Sequence, residues 1–265
     1  MDKSIIKITS KNPWKVTVIM AWVHGDERAG IDAFKKLIPI IKVSSGTVYF
    51  VLANLKAIEQ NVRFTEKNLN RCFRKRISWN TYEENRAREI RNILNKADSL
   101  LDVHNTINKV DWPFLIGEKF ELAQYFPIQR FLSWIDAVEK WWSDGYMLNI
   151  WKIGFCIECW PLFDSGWSTI AEQAILNFLK VMGNIEWKPE ILSKPVHIAC
   201  EKMYKSKTNN FKLIKVFTDF EEIKKWEIIG YDWDKKIVAP RDWLVLFAHD
   251  TDAIGKEMFL FTVYK

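Results

Sequence analysis

The spacing of hydrophobic positions divides the first part of the chain into alternating strand-like and helix-like segments. Short apolar runs rich in β-branched residues predict buried strands, and longer segments with apolar positions every three or four residues predict helices. The predicted strands are Val16 to Val23, Thr47 to Ala53, Leu100 to Val103 and Phe155 to Glu158. The predicted helices are Asp26 to Ile41, Thr81 to Ala97 and Ser168 to Met182. This alternation predicts an α/β fold with a mixed, mostly parallel central sheet and helices on both faces.

The pattern changes after about residue 190, where Pro189 and Pro195 bracket a predicted linker. Short alternating segments separated by turns follow, and such segments are typical of β-strands. These segments are Lys212 to Phe217, Lys236 to Ala239, Trp243 to Ala248 and Met258 to Val263. A short helix is expected from Asp219 to Trp226. We therefore predict a main domain over residues 1–190 and a small all-β domain over residues 191–265.

Polar residues that could bind a ligand or take part in catalysis lie at the ends of predicted strands. His24, Asn54, His104 and Glu158 are all at or near the carboxyl end of such a strand. In open α/β sheets, ligands bind beyond the carboxyl ends of the strands. The positions therefore predict a single site at one edge of the sheet.

Two histidines and a glutamate have the spacing of a metal site. In His24-Gly25-Asp26-Glu27, the first and last residues lie on the same side of a helix start, because residues three apart on a helix are neighbours. His104 is the candidate third ligand. Catalytic zinc commonly takes three such ligands and leaves a fourth position for water. A His-x-x-Glu pair alone occurs often by chance, so the prediction depends on the combination, with Asp102 as a candidate for orienting the ligands.

Arg63 and Arg71 lie in a loop region between the two histidine motifs. Isolated loop arginines are usually solvated. Here their position near the predicted site favours recognition of a carboxylate, for which the planar guanidinium is suited. Cys156 and Cys159 are spaced like a redox or metal motif, but residues three apart on a strand point to opposite faces. We interpret both cysteines as core residues, and His197 and His249 as structural or surface residues.

The order of these motifs resembles that of the aspartoacylase/succinylglutamate desuccinylase family, a branch of the zinc carboxypeptidase fold. The motifs are His24-Gly25-Asp26-Glu27, Arg63, Asn70-Arg71-Cys72-Phe73, Asp102-Val103-His104 and Glu158. The resemblance covers about residues 16 to 160, and the small β domain also fits the family. It implies that His24, Glu27 and His104 bind one zinc ion per chain. It also implies that Arg63 stabilises the developing oxyanion and that Glu158 is the general base and then the general acid.

The resemblance further implies that Asn70 and Arg71 hold a carboxylate of the substrate. Three departures from the family pattern concern the substrate. Trp160 replaces the glycine two residues after the catalytic glutamate, and its ring is expected to narrow the pocket. Leu55 replaces a proline, and the segment 145–151 lacks an arginine that aspartoacylases carry.

We therefore expect a zinc-dependent hydrolase that cleaves an amide bond of a small carboxylate-bearing substrate, such as an N-acyl amino acid. Two alternatives stay open. One is a zinc carboxypeptidase that acts on a short peptide or a cell-wall peptide. The other is a non-catalytic binding protein on the same fold.

Composition limits the partners and the compartment. The formal net charge of +6 is spread along the chain without a basic stripe, so no nucleic-acid partner is expected. No apolar run approaches the ~20 residues that span a bilayer, so no membrane partner is expected. Only four cysteines in 265 residues favour a reducing, cytoplasmic location. A homo-oligomer stays open.

Overall fold

The computed structural model describes residues 4–74, 80–139, 142–161 and 167–265. For residues 160, 161 and 167 the description covers the backbone alone. Over these ranges the chain forms a large mixed sheet with helices on both faces and a small separate all-β sheet. The fold class expected from the hydrophobic pattern is confirmed.

The strands are β1 (Ile5–Thr9), β2 (Val16–Ala21), β3 (Thr47–Leu52), β4 (Ser99–Thr106), β5 (Phe114–Gly117), β6 (Arg130–Ser133), β7 (Ile153–Pro161), β8 (Val196–Lys205), β9 (Phe211–Leu213), β10 (Glu221–Ile223), β11 (Ile228–Asp232), β12 (Lys235–Val238), β13 (Trp243–Leu246) and β14 (Glu257–Tyr264). The α-helices are α1 (Ala29–Leu37), α2 (Leu55–Gln60), α3 (Tyr82–Leu94), α4 (Ile135–Val138), α5 (Ser143–Asn149) and α6 (Trp167–Met182). Short 3-10 helices span Leu69–Arg71 and Phe120–Tyr125. Among the described helices, none combines the length and the apolar character needed to cross a membrane.

The parallel centre of the large sheet positions the candidate residues. Over the described ranges its strand order is β1-β3-β2-β4-β7-β5-β6-β8-β14-β13-β10. Strands β3, β2, β4 and β7 run parallel to one another. Their carboxyl ends therefore meet at one edge, where His24 follows β2, His104 lies near the end of β4, and Glu158 lies in the second half of β7.

Helices bury both faces of this parallel centre. On one face α1 and α6 pack against the sheet, and Phe34 and Phe178 are buried between them and the strands. On the other face α3 and α5 bury Ile90 and Met147 against Val18 of β2. Each fully buried side chain of this size contributes about 1.5–3 kcal/mol relative to exposure. Because both faces are covered, the central strands are mostly apolar, which is the pattern from which they were predicted.

The C-terminal strands both extend the large sheet and form the small one. Strand β8 pairs parallel with β6 and antiparallel with β14, and β12-β11-β9 form a three-stranded sheet. The helix expected from Asp219 to Trp226 is wrong, because Glu221–Ile223 forms β10 and pairs antiparallel with β13. Its burial alternates, with Glu222 exposed and Ile223 buried, as on a half-covered strand. The domain boundary at residue 190 stays a prediction.

Helix α3 begins with a capping box that we expect to contribute measurably to stability. The backbone N–H of Glu84 donates to the Thr81 hydroxyl at 3.4 Å, and the Thr81 N–H donates to the Glu84 carboxylate at 3.2 Å. Thr81→Ala should lower the free energy of unfolding by about 1 kcal/mol, measured by urea denaturation. Thr81→Ser retains the hydroxyl and should retain most of the stability. An equal loss in both variants would contradict this role of the cap.

Candidate metal centre

A tight loop after β2 brings His24 and Glu27 to the sheet edge. A Cβ at Gly25 would lie 2.2 Å from the carbonyl carbon of Ala57, so only glycine allows the loop to pass this close to α2. The Gly25 N–H also donates to the Arg63 carbonyl at 3.3 Å. These contacts place the first turn before α1 beside the end of β4.

The three predicted metal ligands meet where this loop contacts β4. The Nδ1 atom of His24 lies 2.6 Å from Glu27 Oε1, and the Nδ1 atom of His104 lies 2.9 Å from Glu27 Oε2. One potential ligand atom from each residue lies within 4.8 Å of the others. All three side chains are buried. The structure therefore brings together the three residues that the sequence singled out, in a donor set of two imidazoles and a carboxylate that suits zinc.

The far sides of both imidazoles face oxygen atoms. His24 Nε2 donates to Asn68 Oδ1 at 3.1 Å, and His104 Nε2 lies 3.0 Å from Asp102 Oδ2 in an ion pair that lacks hydrogen-bond alignment. With Nε2 held in this way, each ring presents Nδ1 to Glu27, as metal-binding histidines with an outer oxygen partner do. Asp102 thus lies where it can orient the His104 ring, as the sequence predicted. Asn68 was missed by the sequence analysis, since a loop asparagine carries no distinguishing pattern.

Burial and neighbouring charges oppose each other in setting the pKa values of Glu27 and His104. Burial would raise the pKa of Glu27, but the neighbouring His24 and His104 lower it well below its usual range. Burial would likewise lower the pKa of His104, but the surrounding negative charges, led by Asp102, raise it well above its usual range. A metal ion binding here has to displace a proton from His104, so its affinity should rise with pH.

Glu158 lies beside the cluster on the adjacent strand. It is the paired position of His104 in the parallel β4–β7 ladder, so both side chains project from the same face. Its Oε2 atom is buried without a hydrogen-bond partner among the described residues. Burial raises the pKa of Glu158 to about 8, against the opposing effect of His104. A carboxyl group that titrates near neutral pH suits proton transfer.

A cavity of about 410 Å³ opens in front of Glu158. Its polar wall consists of Arg63, Asn68, Asn70, Arg71, Asn108, Glu158, His249 and Glu257. Its apolar wall consists of Ile107, Trp142, Met203, Phe247, Phe259 and Leu260. All four residues predicted to act on or bind the substrate therefore line the same cavity. Much of the apolar wall and Glu257 come from β8, β14 and the loop after β13, which the sequence analysis did not connect with the site.

The two predicted arginines occupy different environments. The Nη1 atom of Arg63 donates to Glu27 Oε1 at 3.1 Å, and its side chain is one-third exposed to the cavity. Arg71 instead faces Glu257: its Nε donates to Oε1 at 3.0 Å, and its Nη2 donates to Oε2. The predicted carboxylate-binding arginine is thus paired with a carboxylate of the chain itself.

Several other residues singled out from the sequence lie outside the candidate metal-ligand set. Asn54 does not line the cavity; its side chain accepts the Ala57 N–H and caps α2. His249 is exposed, as expected, but also lines the cavity. The ring of Trp160 lies outside the described part of the chain, while the backbone there forms an irregular step in the β4–β7 register. Cys156 and Cys159 are buried free thiols in separate clusters, as expected of core residues.

The sequence matches known proteins through the segment that carries the metal ligands. The model of the succinylglutamate desuccinylase/aspartoacylase catalytic domain matches residues 13–138. A probable aspartoacylase of Nostoc sp. is 29% identical over 160 residues, which is 53% of each chain. An N-acyl-aromatic-L-amino acid amidohydrolase (carboxylate-forming) of Xenopus tropicalis is 30% identical over 40% of this chain and 39% of its own. The chain thus aligns with about half the length or less of these curated relatives.

The fold is shared over almost the whole chain. A crystal structure of succinylglutamate desuccinylase from Vibrio cholerae superposes with a TM-score of 0.84 at 19% identity, covering 98% of this chain and 85% of that one. The fold and the buried His-Glu-His cluster place the protein among mixed α/β proteins with a polar site at the carboxyl edge of a parallel sheet. Within that class, residues 13–138 match the catalytic domain of the succinylglutamate desuccinylase/aspartoacylase family.

The raised pKa of Glu158 predicts a pH-dependent stability difference in metal-free protein. Because the folded pKa of about 8 exceeds the ordinary value of 4.5, the native state favours the uncharged form, and this contribution to stability is lost as pH rises through 8. Glu158→Gln stays uncharged and should gain stability relative to wild type between pH 4.5 and 8, by up to about 1.4 kcal/mol per unit. Denaturant unfolding at several pH values measures this difference.

The control is Glu201→Gln, which removes a carboxylate that pairs with Arg241 on the surface. Its stability relative to wild type should change little over the same pH range. A Glu158→Gln difference that is independent of pH would contradict the assignment.

Proposed function

We propose that this chain is a zinc-dependent amidohydrolase that cleaves the amide bond of a small carboxylate-bearing substrate, such as an N-acyl amino acid. The observation that carries the proposal is the buried cluster of His24, Glu27 and His104 beside Glu158, whose Oε2 atom has no hydrogen-bond partner among the described residues. The names of the relatives, a probable aspartoacylase and an N-acyl-aromatic-L-amino acid amidohydrolase (carboxylate-forming), support the same reaction class.

In this proposal, His24, Glu27 and His104 would hold the zinc ion. The contacts of both Nε2 atoms support this arrangement, because they leave Nδ1 directed at Glu27. When bound, zinc polarises the amide carbonyl and lowers the pKa of a water molecule toward neutrality. The chain's own residues supply the rest of the chemistry.

Glu158 removes a proton from the attacking water and then delivers it to the leaving amine. A pKa of about 8 supports both roles, since the group can accept a proton and release it near neutral pH. Arg63 stabilises the negative charge that develops on the carbonyl oxygen. Its fixed position beside Glu27 and its exposure to the cavity support that role.

Asn70 and Arg71 are proposed to receive a carboxylate of the substrate, since both line the polar wall. The Asn70 side chain is fixed by the backbone N–H of Ser143, which donates to its Oδ1 at 3.0 Å. The apolar wall would take an apolar part of the substrate. Four buried free cysteines support the proposal of a reducing, cytoplasmic location.

The experiment combines metal analysis with a panel of amides. Purified protein should contain one zinc ion per chain and release amine from N-acyl amino acids. Glu158→Gln should keep the zinc and lower kcat by about 100- to 10,000-fold. His24→Ala should lose the zinc, whereas the control His197→Ala, which removes an imidazole bonded to Ser133, should retain it.

Three outcomes would contradict the proposal. Near-wild-type turnover in Glu158→Gln would remove its role as base. Activity only on peptides with a free C-terminus would favour a carboxypeptidase. Stoichiometric zinc without turnover on any amide would favour a binding protein.

A further inference from the structure

Three hydrogen bonds to residues of the described chain hold the Arg71 guanidinium in the cavity wall. Its Nε donates to Glu257 Oε1 at 3.0 Å and its Nη2 donates to Oε2, while its Nη1 donates to the Asn70 carbonyl at 3.2 Å. The guanidinium also stacks on the ring of Trp142, with 4.8 Å between its carbon and the ring centroid. A bidentate pair of this kind is the geometry in which arginine binds a carboxylate ligand. Glu257 therefore occupies the Nε–Nη2 edge, through which Arg71 could otherwise hold a substrate carboxylate.

The surroundings hold Glu257 in this position. It begins β14, where it is the paired position of Lys205 on β8. Lys205 in turn binds Glu139 at 3.0 Å, and Glu139 lies 3.9 Å from Arg71 Nε. Burial would raise the pKa of Glu257, but its hydrogen bond to Arg71 lowers it, so the carboxylate is charged at neutral pH. The two carboxylates offset the two cations, and this end of the cavity presents little net positive charge.

We propose that Glu257 is a specificity-determining residue that competes with a substrate carboxylate for Arg71. This inference rests on the proposed amidohydrolase function. A substrate carboxylate that pairs with the Nε–Nη2 edge of Arg71 must displace Glu257, whereas a neutral group of the same shape need not. The apolar residues of the same cavity, including Trp142 and Phe247, favour the neutral group further. Glu257 thus lowers the ratio of kcat/KM for an acid to kcat/KM for its neutral analogue.

The test uses two pairs of nearly isosteric compounds that differ in one charge. The pairs are N-acetyl-L-leucine with N-acetyl-L-leucinamide, and N-acetyl-L-aspartate with N-acetyl-L-asparagine. Glu257→Gln keeps the shape of the side chain and removes its charge. Because a charge-assisted pair with Arg71 then becomes available, the acid-to-amide ratio of kcat/KM for acetate release should rise about tenfold or more in at least one pair. The control Glu201→Gln should leave both ratios unchanged.

Calorimetric binding of the same four compounds separates this inference from the proposed function. If no compound is hydrolysed, the proposed function fails, and the ratio of dissociation constants takes the place of the kinetic ratio. Selective tightening of one acid in Glu257→Gln supports competition for Arg71. Unchanged ratios in both pairs, or equal improvement of acids and amides, overturn it.

A second, independent observation concerns tryptophan. Nine non-glycine residues of the described chain have positive φ, a region that bulky side chains rarely adopt. Six of them are tryptophans with φ between 57° and 105°: Trp22, Trp134, Trp151, Trp187, Trp226 and Trp233. Glycine is the residue that adopts this region without a steric penalty. The whole chain has 14 tryptophans and only 10 glycines.

Two helix ends of the chain permit a direct comparison. After α6, the Gly183 N–H donates to the Lys180 carbonyl, and the next N–H donates to the Leu179 carbonyl. After α5, the Trp151 N–H donates to the Leu148 carbonyl, and the next N–H donates to the Met147 carbonyl. This is the same motif, in which the residue just past the helix is usually glycine. Gly183 has φ +75° and Trp151 has φ 63°.

Several of these tryptophan side chains are exposed or lack a hydrogen-bond partner among the described residues. Trp151 is 97% exposed and Trp187 is 82% exposed. The indole N–H of Trp22 is buried without a hydrogen-bond partner among the described residues. Trp233 occupies the turn between β11 and β12, where glycine or asparagine is preferred. In contrast, Trp243 is buried in β13 and donates to Glu201, as an ordinary core tryptophan does.

We infer that these six positions are glycine positions and that the chain made in its own cell carries glycine there. The codon UGA is read as tryptophan by some bacteria and as glycine by others, so one reassigned codon accounts for all six at once. Trp22 is two residues before His24, so the assignment also bears on the loop of the candidate metal centre.

Peptide mass spectrometry of the chain isolated from its own host tests the assignment. Peptides that contain these positions should have the mass of glycine, while the peptide with Trp243 should have the mass of tryptophan. Tryptophan masses at the six positions overturn the inference. As a physical test in the recombinant chain, Trp151→Gly should raise the melting temperature by about 2–4 °C, and the control Trp243→Gly should lower it. A lower melting temperature for Trp151→Gly also counts against the assignment.

Discussion

The carboxylate of Glu27 is the contact on which the candidate centre depends. Its two oxygens each face one imidazole, from His24 in the same loop and from His104 on another strand. Without positive partners, a fully buried carboxylate would take up a proton, because burial disfavours its charge. Arg63 and the N–H of Asn105 supply further donors at 3.1 and 3.2 Å. Glu27 thus ties together three segments that are remote in sequence.

That arrangement follows from the parallel sheet. Strands β2 and β4 are adjacent and in register, with Ala21 opposite Val103, so the residues that follow them emerge side by side. Close passage of the Gly25 loop against α2 then turns Glu27 toward His104. A change that disrupts the pairing of β2 with β4, or a side chain added at Gly25, would separate Glu27 from His104, because these two residues are remote in sequence. The chemistry of the site is therefore a consequence of strand order.

The sequence predicted the parts of the structure that local patterns determine. Buried parallel strands have uninterrupted apolar runs, so β2, β3, β4 and β7 were found, and with them the ends at which His24, His104 and Glu158 lie. The short strands β5 and β6 were missed, because four residues give too little periodicity to distinguish a strand from a loop. The segment at Glu221 was misread as a helix for the same reason. Its pairing with β13 overrides a weak local preference.

The two sides of the cavity differ in how far the sequence predicts them. The reactive side is built from short motifs within the first 160 residues, and the spacing of its ligands carries chemical meaning before any fold is known. The opposite side is built by strands β8 and β14, which reach the cavity only because the C-terminal segment adds to the far edge of the large sheet. Glu257 and Phe259 have no sequence signature of a binding residue; their role arises from a pairing of strands more than fifty residues apart. Reactivity in this fold is encoded locally, whereas selection of the substrate depends on long-range strand pairing, and so the substrate is what motif spacing leaves undetermined.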